Sequence, residues 1–444
     1  MRVIIIGAGK VGYNIAQILS YENHDVVVIE KDEERYRIVQ ESLDVQVIHG
    51  TGASSQVLEE ADIYAADLLI AVTQFDELNM IACLLAKQYG VPKTIARVRN
   101  PEYADNNRLT QSSVLGIDLL INPEKVTALE ILQLIEVPEA IDVEYYADGK
   151  IQLLELKIGE DAPVINKSLK EFIFPYRYVI VSILRNQQMI IPRGNDKILK
   201  DDIIFILAKT KDMLYIEKLM GKERSKIKNV MILGGGRIGY YLAKLLEEKK
   251  IGVKIIENNF QRCKEIAKEL NSTLVLHGDG ADIDLLKEEG AGQADAFVAL
   301  TEDDKLNLLV SLLAKHLGVK KTIAQIRRSD YLPLIERVGI DVAVSPRLLT
   351  AGAILKFIRR GDIVSVSLLS GAKAEMIELI IPENSKITNK YLKDLAFPNG
   401  AIIGSICRKD EILIPTGNDY LLPGDRVIIF ALPKAVSKVE NFFH

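Results

Sequence analysis

Short, mostly apolar runs alternate with helical patterns in two stretches of the chain. In the first stretch the runs cover residues 3–6, 26–29, 45–48, 68–72, 94–98 and 119–121. Continuous apolar runs are typical of strands that are buried on both faces of a parallel sheet. The helical pattern after the first run has one apolar face, formed by Val11, Ile15, Ile18 and Leu19 and repeated later by Ile238, Leu242, Leu245 and Leu246. Strands that alternate with crossover helices predict an α/β, Rossmann-like doubly wound parallel-sheet domain over residues 1–135 and another over 228–358.

A different pattern of apolar and polar residues follows each of these stretches. Shorter strands with alternating polarity are predicted over 151–158, 178–184 and 203–208, with one short helix near 168–173. Gly and Pro residues mark the turns between them. This pattern predicts a small α+β domain over 140–221 and, by repetition, another over 362–444.

Two connecting segments stand out. The apolar helical segment from Val126 to Ile135, with its repeat at 348–358, could pack within the chain or cross to a partner. The charged stretch at 221–228 is the predicted link between the two halves.

The two halves of the chain form an internal repeat. Asp76-Glu77-Leu78-Asn79 corresponds to Asp304-Lys305-Leu306-Asn307 in the second half. Further along, Pro192-Arg193-Gly194-Asn195-Asp196 corresponds to Pro415-Thr416-Gly417-Asn418-Asp419. A repeat of this length indicates a duplicated architectural unit. With A for the α/β module and B for the small α+β module, the order is A-B-A-B.

A glycine-rich loop follows the first predicted strand of each half. Its sequence is G-A-G-K-V-G at residues 7–12 and G-G-G-R-I-G at 234–239. Glu30 and Glu257 end the next apolar runs, each 23 residues after the first glycine of its loop. A single G-x-G-x-x-G is weak evidence, because glycines recur in many turns. Two copies with a strand before, a helix after and an acidic residue at this spacing predict two sites for adenine nucleotides or dinucleotides.

Each part of such a loop has its own physical role. The first glycine permits a tight turn, the second lets a pyrophosphate approach the backbone, and the third lets the helix pack closely on the strand. The N–H groups at the start of the helix face the phosphates. Candidate contacts in the first half are Gly7, Gly9, Lys10, Gly12, Glu30, Thr51, Gly52, Thr73 and Arg97. Those in the second half are Gly234, Gly236, Arg237, Gly239, Glu257, Asp279, Gly280 and Thr301.

The acidic residues indicate which nucleotides fit. A carboxylate at the position of Glu30 or Glu257 accepts hydrogen bonds from ribose hydroxyls and repels the 2′-phosphate of NADP(H). NAD(H), ADP or ATP is therefore the expected cofactor. Arg97 is placed to reach the phosphates, whereas its repeat position is Gln325. We therefore expect the first site to favour more highly charged ligands than the second.

Two pairs of candidates have an alternative interpretation. Lys10 and Arg237 either contact a phosphate or are solvated surface charges. Thr73 and Thr301 follow the fourth strand of each half, at the sheet edge where ligands of open α/β sheets bind, or they cap the strand end.

Composition limits the class and location of the protein. Apolar residues make up 48% and charged residues 26% of the 444, as in a globular protein with a large core. A net charge of −5 speaks against a nucleic-acid binder, and no metal site is expected. Three scattered cysteines fit a reducing compartment without disulfides or structural zinc. The first strand leaves no room for a signal peptide and no run approaches about 20 apolar residues, so we expect a cytoplasmic protein.

The sequence does not predict an enzyme. Hydride transfer needs an acid or base beside the substrate, and the chain has only five histidines. His49 and His277 recur at the end of the third strand, where a turn residue is the better interpretation. Tyr240-x-x-x-Lys244 has the spacing of short-chain dehydrogenases, but it lies in the helix after the second glycine loop, so we interpret it as a coincidence.

These motifs resemble the RCK/KTN domain family. The resemblance is carried by the glycine loop at 7–12, Glu30, Ala71-Val72-Thr73, Asp76-Glu77-Leu78-Asn79-Met80 and Ile95-Ala96-Arg97-Val98-Arg99. Module B resembles the companion RCK_C domain. The A-B-A-B order is similar to tandem RCK_N–RCK_C chains of the family over essentially the whole sequence.

The resemblance implies a regulatory protein without catalytic residues. It implies a cytoplasmic homotetrameric ring that docks on a membrane K⁺ transporter subunit at the inner face of the cell membrane and binds NAD(H) or ADP/ATP. Carried onto this chain, it adds Ala8, Val11, Gln74 and Ile238 to the nucleotide contacts, while Gln325 departs from the family residue. We expect bound nucleotide to change the angle between the two A modules. The alternatives are a soluble NAD-dependent oxidoreductase and a nucleotide-sensing module of another membrane transporter.

Overall fold

The computed structural model describes most of the chain. The described residues are 1–21, 23–104, 116–172, 175–222, 226–328, 331, 335, 338–358, 363–369, 374–409 and 411–443. Residue 173 of the predicted short helix, residues 223–225 of the predicted link and residue 362 at the start of the last predicted domain lie outside this set.

The first A module contains a six-stranded, all-parallel sheet. Its strands are β1 (Arg2–Ile6), β2 (Asp25–Glu30), β3 (Gln46–His49), β4 (Leu68–Ala71), β5 (Lys93–Arg97) and β6 (Leu119–Ile121). Its helices are α1 (Lys10–Tyr21), α2 (Glu33–Ser42), α3 (Ser55–Glu60), α4 (Asp76–Gln88), α5 (Pro101–Ala104) and α6 (Pro123–Glu136), with a 3-10 turn at Ile63–Ala65. The strand order β3-β2-β1-β4-β5-β6 reverses direction between β1 and β4. That reversal creates a crevice at the carboxyl ends of these two strands, where ligands of open α/β sheets bind.

The first B module has a five-stranded antiparallel sheet of order β10-β9-β11-β8-β7. Its strands are β7 (Asp142–Tyr146), β8 (Ile151–Lys157), β9 (Tyr178–Arg185), β10 (Gln188–Ile190) and β11 (Ile203–Lys209), followed by α7 (Thr210–Leu219). The predicted helix near 168–173 is only a single 3-10 turn, Leu169–Glu171. The N–H groups of Leu169 and Lys170 donate to the carbonyls of Asp196 and Gly194, in a turn that is distant in sequence but adjacent in space.

The second A module repeats the first sheet, with the order β14-β13-β12-β15-β16-β17. The strands are β12 (Asn229–Leu233), β13 (Gly252–Glu257), β14 (Leu274–His277), β15 (Ala296–Ala299), β16 (Lys321–Gln325) and β17 (Val342–Val344). The helices are α8 (Arg237–Glu248), α9 (Phe260–Glu269), α10 (Ile283–Glu288), α11 (Asp304–His316) and α12 (Pro346–Ile358), with a 3-10 turn at Ala291–Gln293. The predicted α/β, doubly wound parallel-sheet fold is confirmed in both A modules.

The second B module is again antiparallel, with the strand order β18-β19-β22-β20-β21. It consists of β18 (Ile363–Leu369), β19 (Ala374–Ile380), β20 (Ala401–Arg408), β21 (Glu411–Leu413), β22 (Arg426–Ala431) and α13 (Val436–Phe443). Two 3-10 turns complete it, Leu392–Asp394 and Pro433–Ala435. Small α+β modules therefore follow both parallel sheets, as predicted.

The modules associate by type into two compact units. One unit contains Met1–Leu132 and Lys228–Ile358, and the other contains Gln133–Ile227 and Arg359–His444. In the first unit α1 packs against α12, and the Asn122 side-chain amide lies 3.4 Å from the Tyr241 hydroxyl. The repeated apolar segment at 348–358 therefore packs within the chain. No helix among the described residues combines the length and apolar character needed to cross a bilayer.

The second unit has a core that both B modules share. The rings of Phe205 and Phe430, one from each module, lie 6.3 Å apart between centroids. A Cβ atom added at Gly404 would lie 2.6 Å from the Leu207 side chain, so the two sheets approach closely there. The B modules therefore form one folded body with a continuous apolar interior.

Candidate nucleotide-binding sites

The first and third glycines of each loop are required by the fold itself. Gly7 and Gly234 have φ angles of +98° and +102°, which side chains rarely tolerate. A Cβ atom at Gly12 would lie 1.9 Å from the Gly7 carbonyl oxygen, and one at Gly239 would lie 2.1 Å from that of Gly234. Because no Cβ atom fits there, glycine at these positions lets the helix lie directly against the end of the first strand.

The middle glycine has a different explanation. A Cβ atom at Gly9 would meet only the Arg35 guanidinium, at 4.0 Å, and one at Gly236 would meet no heavy atom within 4 Å. Gly236 also has ordinary backbone angles, with φ −62°. Neither packing nor backbone strain therefore requires glycine at these positions. Glycine at these positions keeps the loop backbone accessible, and an approaching pyrophosphate needs this access.

The acidic residues are tied to their loops. Glu30 is buried, and its Oε2 accepts a 2.6 Å hydrogen bond from the N–H of Ala8 while Oε1 accepts from the N–H groups of Lys31 and Asp32. Glu257 is bound in the same way by the N–H of Gly235, at 2.7 Å. A carboxylate offers about four acceptor positions, so a ribose hydroxyl can still donate to Glu30. The hydrogen bonds fix the orientation of this group before any ligand arrives.

A cleft of about 610 Å³ empty volume opens at the carboxyl end of the first sheet. The predicted contacts that line it are Gly7, Gly9, Glu30, Thr51, Gly52, Thr73, Gln74 and Arg97. Ala8 and Lys10 line a neighbouring cavity, and Val11 and Gly12 are buried beneath the loop.

In the second half, Gly236, Arg237 and Asp279 are exposed at the corresponding edge. Ile238, Glu257 and Thr301 are half-buried there, and Gly280 is buried. Gly52 and Gly280 have a packing role as well, because a Cβ atom at either would lie within 2.4 Å of a side chain of the first strand.

Thr73 and Thr301 are held by a buried asparagine. The Asn79 Oδ1 accepts from the N–H and the hydroxyl of Thr73, and its Nδ2 donates to the carbonyls of Thr73 and Arg97 at 3.1 and 2.8 Å. Asn307 makes the same four contacts in the second half. The threonine hydroxyl therefore caps the chain after the fourth strand. The asparagine joins the two strand ends that form the floor of the cleft.

Replacing Asn79 by alanine is expected to lower the free energy of unfolding by about 2–4 kcal/mol, because it opens a gap at a fully buried position and leaves partly buried groups of Thr73 and Arg97 without this partner. Urea denaturation followed by circular dichroism measures the change. Gln88→Ala, at an exposed position of the same helix, is the control and should stay within about 0.5 kcal/mol of the parent. Equal stability of the two variants would contradict the assignment.

Arg97 lies at the end of β5. Its buried Nε atom has no hydrogen-bond partner among the described residues. Burial and the nearby guanidinium of Arg99 lower the pKa of Arg97, and the carboxylates of Glu124 and Asp76 offset only part of this effect. An anionic group in the cleft would favour the charged form of Arg97 further. Gln325, the neutral counterpart, is buried and donates to the Thr301 carbonyl at 3.2 Å.

Arg35 is a functional candidate that the sequence analysis missed. It lies at the start of α2 and lines the cleft beside Gly9. Its counterpart Arg262 donates from Nε to the Gly235 carbonyl at 2.8 Å. Both arginines stand five residues after the acidic residue, so the repeat contains the signal that would have identified them.

The groups considered for catalysis have structural partners. Burial and, to a lesser extent, a hydrogen bond to Glu269 raise the pKa of Tyr240 to about 12. A catalytic base needs a pKa shifted the other way, towards neutral pH. The Nε2 atoms of His49 and His277 lie 3.0 and 3.1 Å from backbone carbonyls in the preceding turns. In the part of the chain that the structure describes, no group of three or more His, Cys, Asp or Glu side chains could hold a metal ion.

Comparison with known proteins extends these observations over the whole chain. The TrkA-N domain family matches residues 3–123 and 230–346, and the TrkA-C domain family matches residues 153–221 and 376–444. Trk system potassium uptake protein TrkA homolog 1 of Methanosarcina mazei is 42% identical over 451 residues, covering 100% of both chains.

Solved structures show the same fold. The GsuK channel bound to NAD has a TM-score of 0.63 at 18% identity, with 100% of this chain and 78% of that chain covered. GsuK bound to ADP has a TM-score of 0.52 at 16% identity, with 81% and 69% covered. The predicted RCK/KTN membership is thus confirmed, and the chain belongs to the TrkA family of Trk system potassium uptake proteins.

Proposed function

We propose that the chain is the nucleotide-sensing regulatory subunit of a Trk-type potassium uptake system. Its two A modules bind NAD(H) or ADP/ATP, and the bound ligand gates a membrane K⁺ transporter subunit of the TrkH/TrkG type. The chain is not an enzyme. It acts in the cytoplasm as a homotetrameric ring attached to the membrane through this partner. Its domains are residues 1–135, 140–221, 228–358 and 362–444.

The observation that carries the proposal is the open space at Gly9 and Gly236. Each glycine lies at a helix N-terminus, where unpaired N–H groups and the helix dipole favour an anion. Each loop has a carboxylate fixed beside it by hydrogen bonds. A phosphate group, a ribose and open backbone access are what an adenine nucleotide requires from such a site.

The first site has more cationic residues than the second. Arg97 and Arg35 line its cleft, and Lys10 lies on the loop. These side chains would neutralise the phosphates, while Glu30 would bind the ribose. In the second site Gln325 replaces Arg97, so its electrostatic attraction for phosphates is weaker.

The packing of α1 supports a regulatory role. This helix begins at the first glycine loop and packs against α12 of the second A module. A ligand at the loop therefore acts on an element that forms the boundary between the modules. Gating requires that one arrangement of the modules binds the ligand more tightly than the other.

Binding can be tested with aspartate substitutions at the middle glycines. Gly9→Asp and Gly236→Asp should each abolish nucleotide binding at one site, because the carboxylate repels phosphate, while stability stays within about 1 kcal/mol. Isothermal titration calorimetry with NAD, NADH, ADP and ATP provides the measurement. Gly194→Asp makes the same change on the surface of the other unit and should bind as the parent does. Undiminished binding by the Gly9→Asp/Gly236→Asp double variant would refute the assignment of both sites.

The regulatory step needs a transport measurement. The chain and a TrkH/TrkG-type subunit would be reconstituted in liposomes, and K⁺ flux would be measured with each nucleotide at saturation. We expect flux to differ between ADP and ATP or between NAD and NADH, and to lose this difference in the double variant. Equal flux with all four nucleotides would reject gating even if binding is intact.

A further inference from the structure

An exposed aromatic side chain lines the first nucleotide cleft. Phe75 is the residue immediately before α4, and it lines the cleft together with Glu30 and Lys31. Its side chain is 44% exposed and does not belong to the apolar core of the module. One exposed apolar residue needs no explanation by itself. This one, however, occupies a position that a different type of residue would stabilise better.

Phe75 is the N-cap residue of α4. N-cap residues are normally Ser, Thr, Asp or Asn, whose side chains accept a hydrogen bond from the first turn of the helix. Phenylalanine cannot accept one, and α4 has no side-chain cap. In the second A module the corresponding residue, Asp303, accepts from the N–H groups of Lys305 and Leu306 and so caps α11. The first module therefore has an aromatic ring where the second has a cap.

The backbone at these two positions is the same. The N–H of Phe75 donates to the Thr73 hydroxyl, and the N–H of Asp303 donates to the Thr301 hydroxyl, both at 3.2 Å. The φ and ψ angles are −108° and 114° at Phe75, and −99° and 108° at Asp303. Because only the side chain differs, the turn does not require phenylalanine. A residue that gives up a local stabilising contact in this way is expected at a functional site.

The ring has a neighbour that a ligand can replace. The Lys31 ammonium lies 4.7 Å from the centroid of the Phe75 ring, in a cation–π contact. Such a contact is weak at an exposed site, and Lys31 is exposed. Lys31 directly follows Glu30, so the contact lies next to the carboxylate proposed to bind the ribose. In the second module Asn258 and Asp303 replace this pair.

We propose that Phe75 recognises the base of a nucleotide bound at the first glycine loop by stacking on it, in the place that the Lys31 ammonium now occupies. This inference rests on the proposed nucleotide site and adds to it a residue that selects ligands with an aromatic base. The base is attached to the ribose, so a ribose bound by Glu30 brings the base close to Lys31 and Phe75. Every nucleic acid base has a flat π surface on which an aromatic side chain can stack. Val72 and Leu78 supply further apolar surface in the same cleft.

Stacking gives the two sites different selectivities. Backbone N–H groups and cationic side chains attract phosphates whether or not a nucleoside is attached to them. The contact with Phe75 adds an attraction that only the base of a nucleotide provides. The first site should therefore distinguish nucleotides from inorganic phosphates more strongly than the second, where Asp303 provides no ring at this position.

Replacement of Phe75 by serine tests the inference. Gly236→Asp is introduced into every protein, so that only the first site binds. Serine is a preferred N-cap residue, so Phe75→Ser should be as stable as the parent in urea denaturation. It should weaken ADP and NAD binding about tenfold or more, the range for one base stacked on an aromatic side chain, and change pyrophosphate binding by less than about threefold. Tyr21→Ser removes an exposed ring at the end of α1, outside the cleft, and should leave all three affinities unchanged.

Phe75→Trp reports on the stacking directly. The chain contains no tryptophan, so this variant has a single one, placed at the proposed contact. Because tryptophan keeps an aromatic surface at this position, ADP affinity should stay within about threefold of the parent. The tryptophan fluorescence should fall when ADP saturates the site and stay constant with pyrophosphate, since only ADP has a base.

The outcomes separate this inference from the proposed nucleotide site. ADP binding by Phe75→Ser within about threefold of the parent would overturn the stacking and leave the site intact. Equal losses of ADP and pyrophosphate affinity in this variant, or a constant tryptophan signal while ADP binds to Phe75→Trp, would overturn it as well. If the protein with Gly236→Asp alone bound neither ADP nor NAD, the proposed site and this inference would fail together.

Discussion

Replacing Gly12 by alanine is expected to destabilise the first A module by about 3 kcal/mol or more and to abolish nucleotide binding there. The added Cβ atom would lie 1.9 Å from the Gly7 carbonyl oxygen and 3.1 Å from its carbon. Both atoms belong to the backbone, so no change of rotamer can relieve the overlap. The helix α1 must move away from β1, and the loop N–H groups move with it.

Gly9→Ala is the matched control for this prediction. Its Cβ atom meets only the end of a flexible arginine, so its unfolding free energy should stay within about 1 kcal/mol of the parent. Gly239→Ala should reproduce the large loss in the second A module, where the corresponding distance is 2.1 Å. Urea denaturation and titration with ADP measure the two effects. If Gly12→Ala were as stable as Gly9→Ala, the close contact of helix and strand would be wrong.

The A modules were predictable because their signals are local and strong. A strand buried on both faces must be apolar throughout, so the runs at 26–29 and 68–72 were found within one residue of β2 and β4. The glycine loops and the acidic residues depend on spacing along the chain, which the repeat confirms independently. Arg35 was not predicted as a site residue, because its only signal is its position in the first turn of a helix, five residues after Glu30.

The B modules and the association of modules were harder to predict. The short strands β7 and β10 were not predicted, and the helix predicted near 168–173 is a 3-10 turn whose backbone bonds to a turn at 194–196. The A-B-A-B order does not determine which modules pair. That choice depends on contacts such as Phe205 with Phe430, between residues more than 200 positions apart in the chain.

The pairing of the B modules rests partly on one buried ion pair. Glu378 of the second B module is almost fully buried, 2.7 Å from the Arg426 Nε, and its Oε1 also accepts from the N–H of Ala147 in the first B module at 2.9 Å. Arg426 in turn lies 3.1 Å from the Asp148 carboxylate. A buried carboxylate is tolerated only with such partners, because its desolvation is costly.

Arg426→Met is therefore expected to lower the free energy of unfolding by about 3–5 kcal/mol at neutral pH. The loss arises because Glu378 is then left buried without its cation. Urea denaturation at neutral pH measures the change. Arg193→Met, at an exposed position of the same unit, should have little effect, and the double variant Glu378→Leu/Arg426→Met should recover most of the stability. A double variant as unstable as Arg426→Met alone would show that the arginine acts through its packing, because removing the unpaired charge would then restore nothing.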